Sequence, residues 1–195
     1  MEWLEYLDRW LFLFLNGFHN PWFDTFFRYC GLVVTWIPLY AVFLFFLVRR
    51  FKKKIGLSLT LVAFLVLFTD QSSVLIKNSV QRYRPSHNIE LKENVHLINS
   101  ERGGQFGFVS SHAANLWGIA IFVFLTLRPM KRINAYLLFI WASLVSYGRI
   151  YAGVHYPADV VGGMIVGITF GFLFYYLQCK MFQKFEMDIQ GSSST

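Results

Sequence analysis

Five apolar segments of helical length, separated by short polar stretches, dominate the chain from position 31 onward. They cover residues 31–48, 55–80, 113–127, 133–151 and 159–178. A helix of about 18 to 20 apolar residues crosses the hydrocarbon core of a bilayer, so each segment is interpreted as a membrane span. The pattern predicts an all-α integral-membrane bundle of about five transmembrane helices.

The first 30 residues show a different pattern, in which apolar side chains are mixed with charged ones. Leucines at helical spacing predict an amphipathic helix over 2–16 that lies in the membrane interface: Leu4, Leu7, Leu11 and Leu15. Asn20-Pro21 ends this helix, and residues 22–30 lead into the first span. A signal peptide is the alternative, but the acidic start and the lack of a small-residue cleavage site disfavour it.

Basic residues indicate the orientation of the bundle, because Lys and Arg gather in short cytoplasmic loops. They follow the first, third and fifth spans: Arg49, Arg50, Lys52, Lys53, Lys54, Arg128, Lys131, Arg132, Lys180 and Lys184. The opposite face, with the N-terminal segment, the loop 81–112 and the turn 152–159, is then predicted to face the periplasm or the cell exterior. The net charge of +7 is thus a topology signal, and nucleic-acid binding is not expected.

Composition agrees with a membrane protein: of 195 residues, 55% are hydrophobic and only 15% are charged. Soluble domains carry about 25% charged residues. We expect one membrane domain, with an interfacial segment at 1–30, the bundle at 31–180 and a cytoplasmic tail at 181–195 that ends flexibly over 191–195. Cys30 and Cys179 fall on opposite faces, so two free thiols are expected. The sequence carries no clear trace of an oligomeric state.

Charged and polar residues, which are costly at membrane depth, gather on the outer face. They end the second span, open the third, end the fourth and open the fifth: Lys77, Arg82, Arg84, Ser110, Ser111, His112, Arg149, His155 and Asp159. Cations beside the free N–H groups of a helix start favour an anion, most simply phosphate. Any one basic residue taken alone is typical of an interface anchor, and for Arg82 and Arg102 that interpretation stands.

Two histidines at a phosphate site suggest two roles. One imidazole can attack phosphorus, while the other, when protonated, gives its proton to the departing oxygen. In His155-Tyr-Pro-Ala-Asp159 the carboxylate falls in the first turn of a helix and can reach back to fix the His155 tautomer. The alternative is that Asp159 only complements the helix dipole and that His155 is an ordinary loop residue.

Three motifs in this order resemble those of the type 2 phosphatidic acid phosphatase superfamily, integral-membrane lipid phosphatases related to vanadium haloperoxidases. Lys77 to Arg84-Pro85 matches Lys, six residues, Arg-Pro. Val109-Ser110-Ser111-His112 is similar to Pro-Ser-Gly-His. Gly148-Arg149 through His155 to Asp159 is similar to Ser-Arg, five residues, His, three residues, Asp. Many family members have six spans, and here the first is missing or reduced to the N-terminal segment.

The resemblance implies that His155 is the nucleophile of a phosphohistidine mechanism, oriented by Asp159, with His112 as the general acid. Lys77, Arg84, Arg149 and Ser110 would hold the phosphoryl oxygens. That scheme needs no metal or other cofactor, and these cations are not accompanied by a carboxylate cluster suited to Mg²⁺.

Three positions depart from the family pattern. Val109 replaces Pro, and only the stiffness of the helix entry is expected to change. Ser111 replaces Gly, which weakens a backbone donor if positive φ is needed there, or else adds a helix cap or phosphate contact. Gly148 replaces Ser and removes a hydroxyl donor. Three neighbouring features are not assigned to catalysis: Asp70 is expected to pair inside the bundle, His87 to be solvated, and the glycine-rich stretch 103–107 to turn the chain back toward the third span.

We therefore expect a phosphohydrolase that acts on a lipid phosphate or pyrophosphate at the outer leaflet of a bacterial-type inner membrane. Undecaprenyl pyrophosphate and lipid A are favoured, with phosphatidylglycerol phosphate and phosphatidic acid as other family substrates. Two alternatives remain open. A lipid phosphotransferase would use the same intermediate, and a non-enzymatic protein that binds or transports lipid phosphates would use the cations for binding alone.

Overall fold

The computed structural model describes residues 2–91, 93–127 and 136–192, and the chain is all-helical within these ranges apart from turns and loops. The α-helices are α1 (Glu2–Gly17), α2 (Pro21–Cys30), α3 (Ile37–Phe51), α4 (Ile55–Val80), α5 (Ser111–Leu127), α6 (Leu137–Tyr151) and α7 (Pro157–Ser192). Short 3₁₀ turns precede α3 and α4 and interrupt the loop between α4 and α5. The predicted all-α class is confirmed.

Among the described residues, three segments are long and apolar enough to cross a membrane: Val33–Phe51, Ile55–Val80 and Pro157–Lys184. The other two predicted spans form shorter apolar helices, α5 with 17 residues and α6 with 15. Residues 133–135, at the predicted start of the fourth span, lie outside the described ranges. The count of five spans therefore stays a prediction, although each predicted span coincides with a helix.

The outer surface of the bundle is apolar, as expected of a protein surrounded by lipid. Large side chains on α4, α6 and α7 are more than half exposed, including Leu75 at 68%, Ile140 at 63% and Ile165 at 58%. The interior cluster is centred on Trp141, which packs edge-on against Trp36 and Tyr40.

Helices α5 and α7 pack closely because glycines recur every fourth residue on α7: Gly163, Gly167 and Gly171. An added Cβ would lie 2.3 Å from the Ser110 carbonyl oxygen at Gly163, and 2.2 Å from the Ala114 carbonyl oxygen at Gly167. Small residues at such spacing let two backbones approach each other in a membrane. This stripe, which the sequence reading missed, sets the distance between the two helices that begin at the site.

The N-terminal helix α1 has a second face, which the sequence analysis did not predict. The leucines were expected to face the membrane interface, and Leu4 at 64% exposed and Leu7 at 41% exposed do lie on the surface of the protein. Phe12 and Asn16, one helical turn apart, are instead buried, and α1 contacts α6 and α7. The Asn16 amide donates to the carbonyl oxygens of His96, Ile150 and Tyr151, at 3.1, 3.3 and 2.8 Å. Helix α1 is thus docked on the bundle.

Residues 22–30 also differ from the prediction, because they form the separate helix α2 and do not simply lead into the first span. The Asn20 side chain accepts the Phe23 backbone N–H at 3.0 Å, and Pro21 occupies the first helical position. Both features favour a helix start. At the other end of the chain, α7 continues through the predicted tail to Ser192, and residues 193–195 lie outside the described ranges. The basic residues Arg128, Lys131 and Arg132 lie outside them as well.

Candidate active site

Four stretches of chain meet at one end of the bundle: the end of α4, the loop after it, the start of α5, and the turn between α6 and α7. The eight predicted site residues all lie there: Lys77, Arg84, Ser110, Ser111, His112, Arg149, His155 and Asp159. Both histidines are therefore at the same end of the molecule, as the predicted mechanism requires.

His155 and Asp159 form the buried centre of this cluster. Their side chains are 2% and 0% exposed, and His155 Nδ1 lies 3.4 Å from Asp159 Oδ2. The same carboxylate oxygen accepts the Tyr156 backbone N–H at 3.0 Å. Helix α7 begins at Pro157, so Asp159 falls in its first turn, where the helix dipole favours a negative charge. The expected approach of Asp159 to His155 is present.

Arg84 approaches the opposite side of the same imidazole. Its Nη1 atom lies 3.2 Å from His155 Nε2, and Nη1 and Nε also donate to the Val154 and Phe106 carbonyl oxygens at 3.3 and 3.1 Å. Burial lowers the pKa of Arg84 from its ordinary value, but a guanidinium remains charged at any working pH. The backbone thus fixes this cation beside the histidine.

These two neighbours assign the tautomer of His155. A guanidinium only donates hydrogen bonds, so Nε2 presents its lone pair to Arg84, and Nδ1 carries the proton toward the acceptor Asp159. Burial, followed by the nearby Arg84 and Arg149 charges, lowers the pKa of His155 to about 4 against the pull of Asp159. The imidazole is neutral near pH 7, and Nε2 carries its free lone pair.

The start of α5 is held between α4 and α7. Lys77 donates from Nζ to the Ser111 hydroxyl oxygen across the α4–α5 contact. The backbone N–H of Ser110 donates to the Asp159 carbonyl oxygen at 2.9 Å, and its buried hydroxyl accepts the Ala113 N–H at 3.4 Å. These bonds align the first turn of α5 with the first turn of α7.

His112 lies in that first turn of α5, and its side chain is exposed. Desolvation by the surrounding protein, followed by the charges of Arg149, His155, Arg84 and Lys77, lowers the pKa of His112 to about 3. The imidazole is therefore neutral near pH 7 unless a bound anion offsets these cations. The expected role of His112 as the general acid thus depends on the negative charge of a bound phosphate.

Arg149, near the end of α6, contributes a cation with spare hydrogen-bonding capacity. Its carbonyl oxygen accepts the backbone N–H groups of Val154 and His155 at 3.2 and 3.3 Å, which fixes the turn that carries the buried histidine. Its Nε atom is buried and has no hydrogen-bond partner among the described residues. The side chain borders a cavity of about 180 Å³ that Arg28 and Glu101 also line. A buried guanidine nitrogen without a partner fits a bound oxyanion.

Residues 54–182 match the PAP2 superfamily. The chain belongs to the PAP2 superfamily. The resemblance derived from the motifs is confirmed, and so is the expectation of a membrane lipid phosphatase, a hydrolase.

Relatives with assigned activities cover most of the chain. A lipid A 4'-phosphatase from Bacteroides thetaiotaomicron is 38% identical over 191 residues, which cover 96% of this chain and 84% of that protein. A lipid A 4'-phosphatase from Porphyromonas gingivalis is 36% identical over 179 residues, covering 90% of this chain and 74% of that protein.

The fold matches a solved transmembrane structure of the same superfamily. The transmembrane PAP2-type phosphatidylglycerolphosphate phosphatase from Bacillus subtilis superposes with a TM-score of 0.71 at 19% identity, covering 92% of this chain and 88% of that one. This likeness shows the transmembrane PAP2 fold, and the chain is an integral membrane protein.

Two departures from the PAP2 motif pattern have a structural reason. At Gly148, an added Cβ would lie 3.0 Å from Cδ1 of Phe27, so α2 occupies the space that a larger residue needs. Ser111 has no positive φ, in contrast to four other non-glycine residues of the described chain, and its hydroxyl accepts the Lys77 ammonium. No glycine is therefore needed at position 111, and the hydroxyl is used.

Arg82 and Asp8 are site residues that the sequence analysis missed. Arg82 is not a free interface anchor, because its Nη1 lies 3.0 Å from Asp159 Oδ1 and its Nη2 lies 2.6 Å from Asp8 Oδ2. The signal in the sequence was the i, i+4 spacing of Asp8, Phe12 and Asn16, which places a carboxylate on the face of α1 that docks. The sequence analysis considered only the face of α1 that carries the leucines.

The glycine-rich stretch 103–107 does more than turn the chain, because it lines the site. The Arg84 backbone N–H donates to the Gln105 carbonyl oxygen at 3.1 Å. Gly107 leaves room for the carboxylate, since an added Cβ would lie 2.7 Å from Asp159 Oδ2. At Gly103, where φ is +66°, the corresponding distance to Arg84 Nη1 is 2.8 Å. These glycines let the loop pass directly over the two side chains.

Asp70 and His87 are the two neighbouring residues that the sequence did not assign to catalysis. Asp70 forms no hydrogen bond or ion pair with the described residues, although its charge acts on Lys77, so the expected pairing inside the bundle is not observed. The half-buried His87 contacts the Ser86 hydroxyl at 3.1 Å. Within the described ranges, no group of three or more His, Cys, Asp or Glu is arranged to hold a metal ion.

Proposed function

We propose that this protein removes the 4'-phosphate of lipid A by way of a phosphohistidine at His155. The substrate assignment is supported by the relatives named lipid A 4'-phosphatase, which are 36 to 38% identical over at least 90% of this chain. The chemical assignment is carried by one observation: His155 has Asp159 on its Nδ1 side and a cation on its Nε2 side. Such an imidazole is a neutral nucleophile that points into a cationic pocket.

The site lies at the outer face of the cytoplasmic membrane, with all five apolar helices from α3 to α7 crossing it. The basic residues in the last turn of α3 and in the link to α4, including Arg49, Arg50 and Lys52, lie at the end of α4 opposite to Lys77. Basic residues in short loops mark the cytoplasmic side, so Lys77 and the site lie on the other side. Helices of 15 and 17 residues span about 22 to 26 Å, and a site between their ends remains within reach of a lipid phosphate at the headgroup level.

In the first step, the Nε2 lone pair of His155 attacks phosphorus, and the phosphorus–oxygen bond to the lipid breaks. Protonated His112 gives its proton to the departing sugar oxygen, which leaves as an alcohol. Asp159 holds the Nδ1–H while positive charge develops on the imidazole. Lys77, Arg84 and Arg149 stabilise the phosphoryl oxygens, and the Ser110 and Ser111 hydroxyls are within the same cluster.

In the second step, water attacks the phosphohistidine, with neutral His112 taking one proton from that water. The phosphorus–nitrogen bond breaks, inorganic phosphate leaves, and His155 returns to its neutral form. Arg84 Nη1 lies 3.2 Å from Nε2, so its guanidinium exchanges the ring nitrogen for a phosphoryl oxygen when substrate binds. No step in this cycle requires a metal ion.

The test is phosphate release by the detergent-purified protein from lipid A, undecaprenyl pyrophosphate, phosphatidylglycerol phosphate and phosphatidic acid, with and without EDTA. We expect release from lipid A in the presence of the chelator, and mass spectrometry should locate the loss at the 4' position. His155→Ala should abolish release, whereas His87→Ala, a histidine of the neighbouring loop, should retain it. A phosphoenzyme trapped from wild type should be acid-labile, stable to base and missing in the His155 variant.

Three outcomes would contradict the proposal. Equal release by wild type and His155→Ala would remove the nucleophile. Preferred hydrolysis of another lipid phosphate would remove the substrate assignment. Transfer of the group to an added acceptor lipid, with no release to water, would identify a phosphotransferase.

A further inference from the structure

Arg82 bridges two carboxylates that come from opposite ends of the sequence. Its guanidinium lies 3.0 Å from Asp159 Oδ1 and 2.6 Å from Asp8 Oδ2, and its carbon Cζ lies 4.1 Å from the centre of the Tyr156 ring. The side chain is 21% exposed, so this arrangement is largely shielded from water. Both nitrogens that form ion pairs are occupied, which leaves Arg82 directed at protein carboxylates and not at the phosphate.

The pairing determines where the second oxygen of Asp159 points. Oδ2 faces His155 and the Tyr156 backbone N–H, and Oδ1 is held by Arg82 alone among the side chains of the described residues. Without Arg82, a carboxylate that is 0% exposed would keep no direct ion-pair partner on that oxygen. A buried carboxylate without an ion-pair partner turns toward other hydrogen-bond donors or takes up a proton.

Asp8 adds a second restraint from α1. Its Oδ1 accepts the Ala158 backbone N–H at 2.8 Å, and that N–H is one of those left free in the first turn of α7. Its side chain is 11% exposed. Asp8 therefore caps the helix that carries Asp159 while it orients the arginine that binds Asp159. One turn further along α1, buried Phe12 packs against the Tyr156 ring, with ring centres 5.3 Å apart.

We propose that Arg82 and Asp8 are positioning residues for the phosphatase reaction, fixing Asp159 so that His155 keeps its Nδ1–H tautomer. The proposal rests on the proposed function, because it needs His155 as the nucleophile. It assigns to the N-terminal helix a part in catalysis, through a chain of contacts from Asp8 to Arg82, Asp159 and His155. Neither residue touches the reacting atoms.

Suitable variants remove charge while keeping side-chain size. Arg82→Gln and Asp8→Asn test the pair, and Arg82→Lys tests whether a single point charge suffices in place of the two-pronged guanidinium. The matched control is Arg9→Gln, which breaks the pair between α1 and Glu90 at 2.6 Å, next to Asp8 in sequence but away from Asp159. All variants are compared as detergent-purified full-length protein, with kcat and KM normalised to the folded fraction.

We expect kcat of Arg82→Gln to fall about 10- to 100-fold with KM within about twofold of wild type, because the phosphate cations are untouched. Asp8→Asn should show a smaller fall in kcat, Arg82→Lys should recover part of the loss, and Arg9→Gln should match wild type. After Arg82→Gln, the further change Asp8→Asn should cost little, since the two residues act through one contact.

A pH profile separates positioning from a merely structural role. The groups that face Asp159 are His155 and Tyr156 in its own segment, Arg82 and Arg84 in the loop, Lys77 on α4, and Asp8 through Arg82. When Arg82 is neutralised, Asp159 is no longer held in place beside His155 Nδ1, so the environment of the imidazole changes and the acid limb of kcat/KM should move. Loss of folded protein alone would scale the profile without moving it.

The proposal is overturned if folded Arg82→Gln keeps the wild-type kcat. It is also overturned if the variant loses activity only because less of it is folded, so that kcat per folded molecule and the acid limb of the pH profile are both unchanged. These results would leave the proposed function intact, provided that wild type releases phosphate and His155→Ala does not. If wild type instead hydrolyses lipid phosphates and His155→Ala is equally active, the nucleophile itself is wrong and the positioning pair is wrong with it.

Discussion

Gly163 lies where α7 passes the start of α5, and the change Gly163→Ala tests how strictly the fold sets the distance between the two histidines. An added Cβ would lie 2.3 Å from the Ser110 carbonyl oxygen and 3.1 Å from the Ala113 Cβ. The first obstacle is backbone, which cannot rotate away as a side chain can. The residue before α5 is also tied to α7 by the 2.9 Å bond from Ser110 N–H to the Asp159 carbonyl oxygen.

Relief of this contact requires the two backbones to separate by about 1 Å, because ordinary carbon contacts begin near 3.4 Å. Alanine is favoured over glycine in a helix by about 1 kcal/mol, but overpacking of this kind costs about 1 to 3 kcal/mol, so we expect net destabilisation. The shift carries His112 away from His155. A misplacement of about 1 Å can reduce turnover about 100-fold, so kcat should fall between 10- and 100-fold.

Gly171→Ala supplies the control on the same helix face, about 12 Å further along α7. Its added Cβ would lie 2.9 Å from the Gly118 carbonyl oxygen, a milder overlap remote from the site. Thermal unfolding in detergent should detect destabilisation in both variants, whereas phosphate release per folded molecule should fall only for Gly163→Ala. A folded Gly163→Ala protein with wild-type kcat would refute the reasoning that this packing fixes the catalytic distance.

The remaining predictions concern His155 and Asn16. Burial lowers the pKa of His155 to about 4, so kcat/KM should show no loss from its protonation near pH 6.5, where free histidine titrates. The unfolded chain takes up that proton at higher pH than the folded one, so stability should fall as pH drops from 6.5 toward 4, and His155→Ala should flatten this slope in thermal melts. Asn16→Ala removes three donated bonds and the acceptor of the His96 N–H, and should destabilise the protein by about 2 to 4 kcal/mol in the same melts. An unchanged melting temperature would contradict the docking of α1.

The sequence was most informative about residues whose charge is costly in a membrane. Lys77, Arg84, Arg149 and His155 stand out from apolar surroundings, and a burial cost makes such residues rare unless they share a site. Their approach at one end of the bundle was therefore predictable from span order and loop position alone. The helices themselves were equally predictable. In a long apolar segment surrounded by lipid, the backbone N–H and C=O groups find hydrogen-bond partners within a helix.

Contacts of the N-terminal segment could not be read in the same way. On α1 the exposed leucines face the surroundings of the bundle, and the docking face is made of Asp8, Phe12 and Asn16. In a membrane protein, apolar residues mark the lipid side as readily as the protein core, so an apolar stripe does not tell which face is buried. The choice is made by polar partners distant in sequence, such as the carbonyl oxygens of Ile150 and Tyr151.

Charge balance explains why this site needs a contribution from α1. The proposed reaction requires cations that face the phosphate without protein partners, and Arg149, whose Nε has no partner among the described residues, is the clearest of these. The same proposal requires a buried carboxylate that keeps His155 in one tautomer without being drawn to those same cations. Asp159 is attracted by Arg84 and Lys77 as well as by Arg82. In this proposal Arg82, which is itself held by Asp8, pairs with Oδ1 of Asp159. Lys77, Arg84 and Arg149 are then left to bind the substrate. The helix that the sequence analysis placed passively in the interface is therefore the part of the fold that keeps the two sets of charges apart.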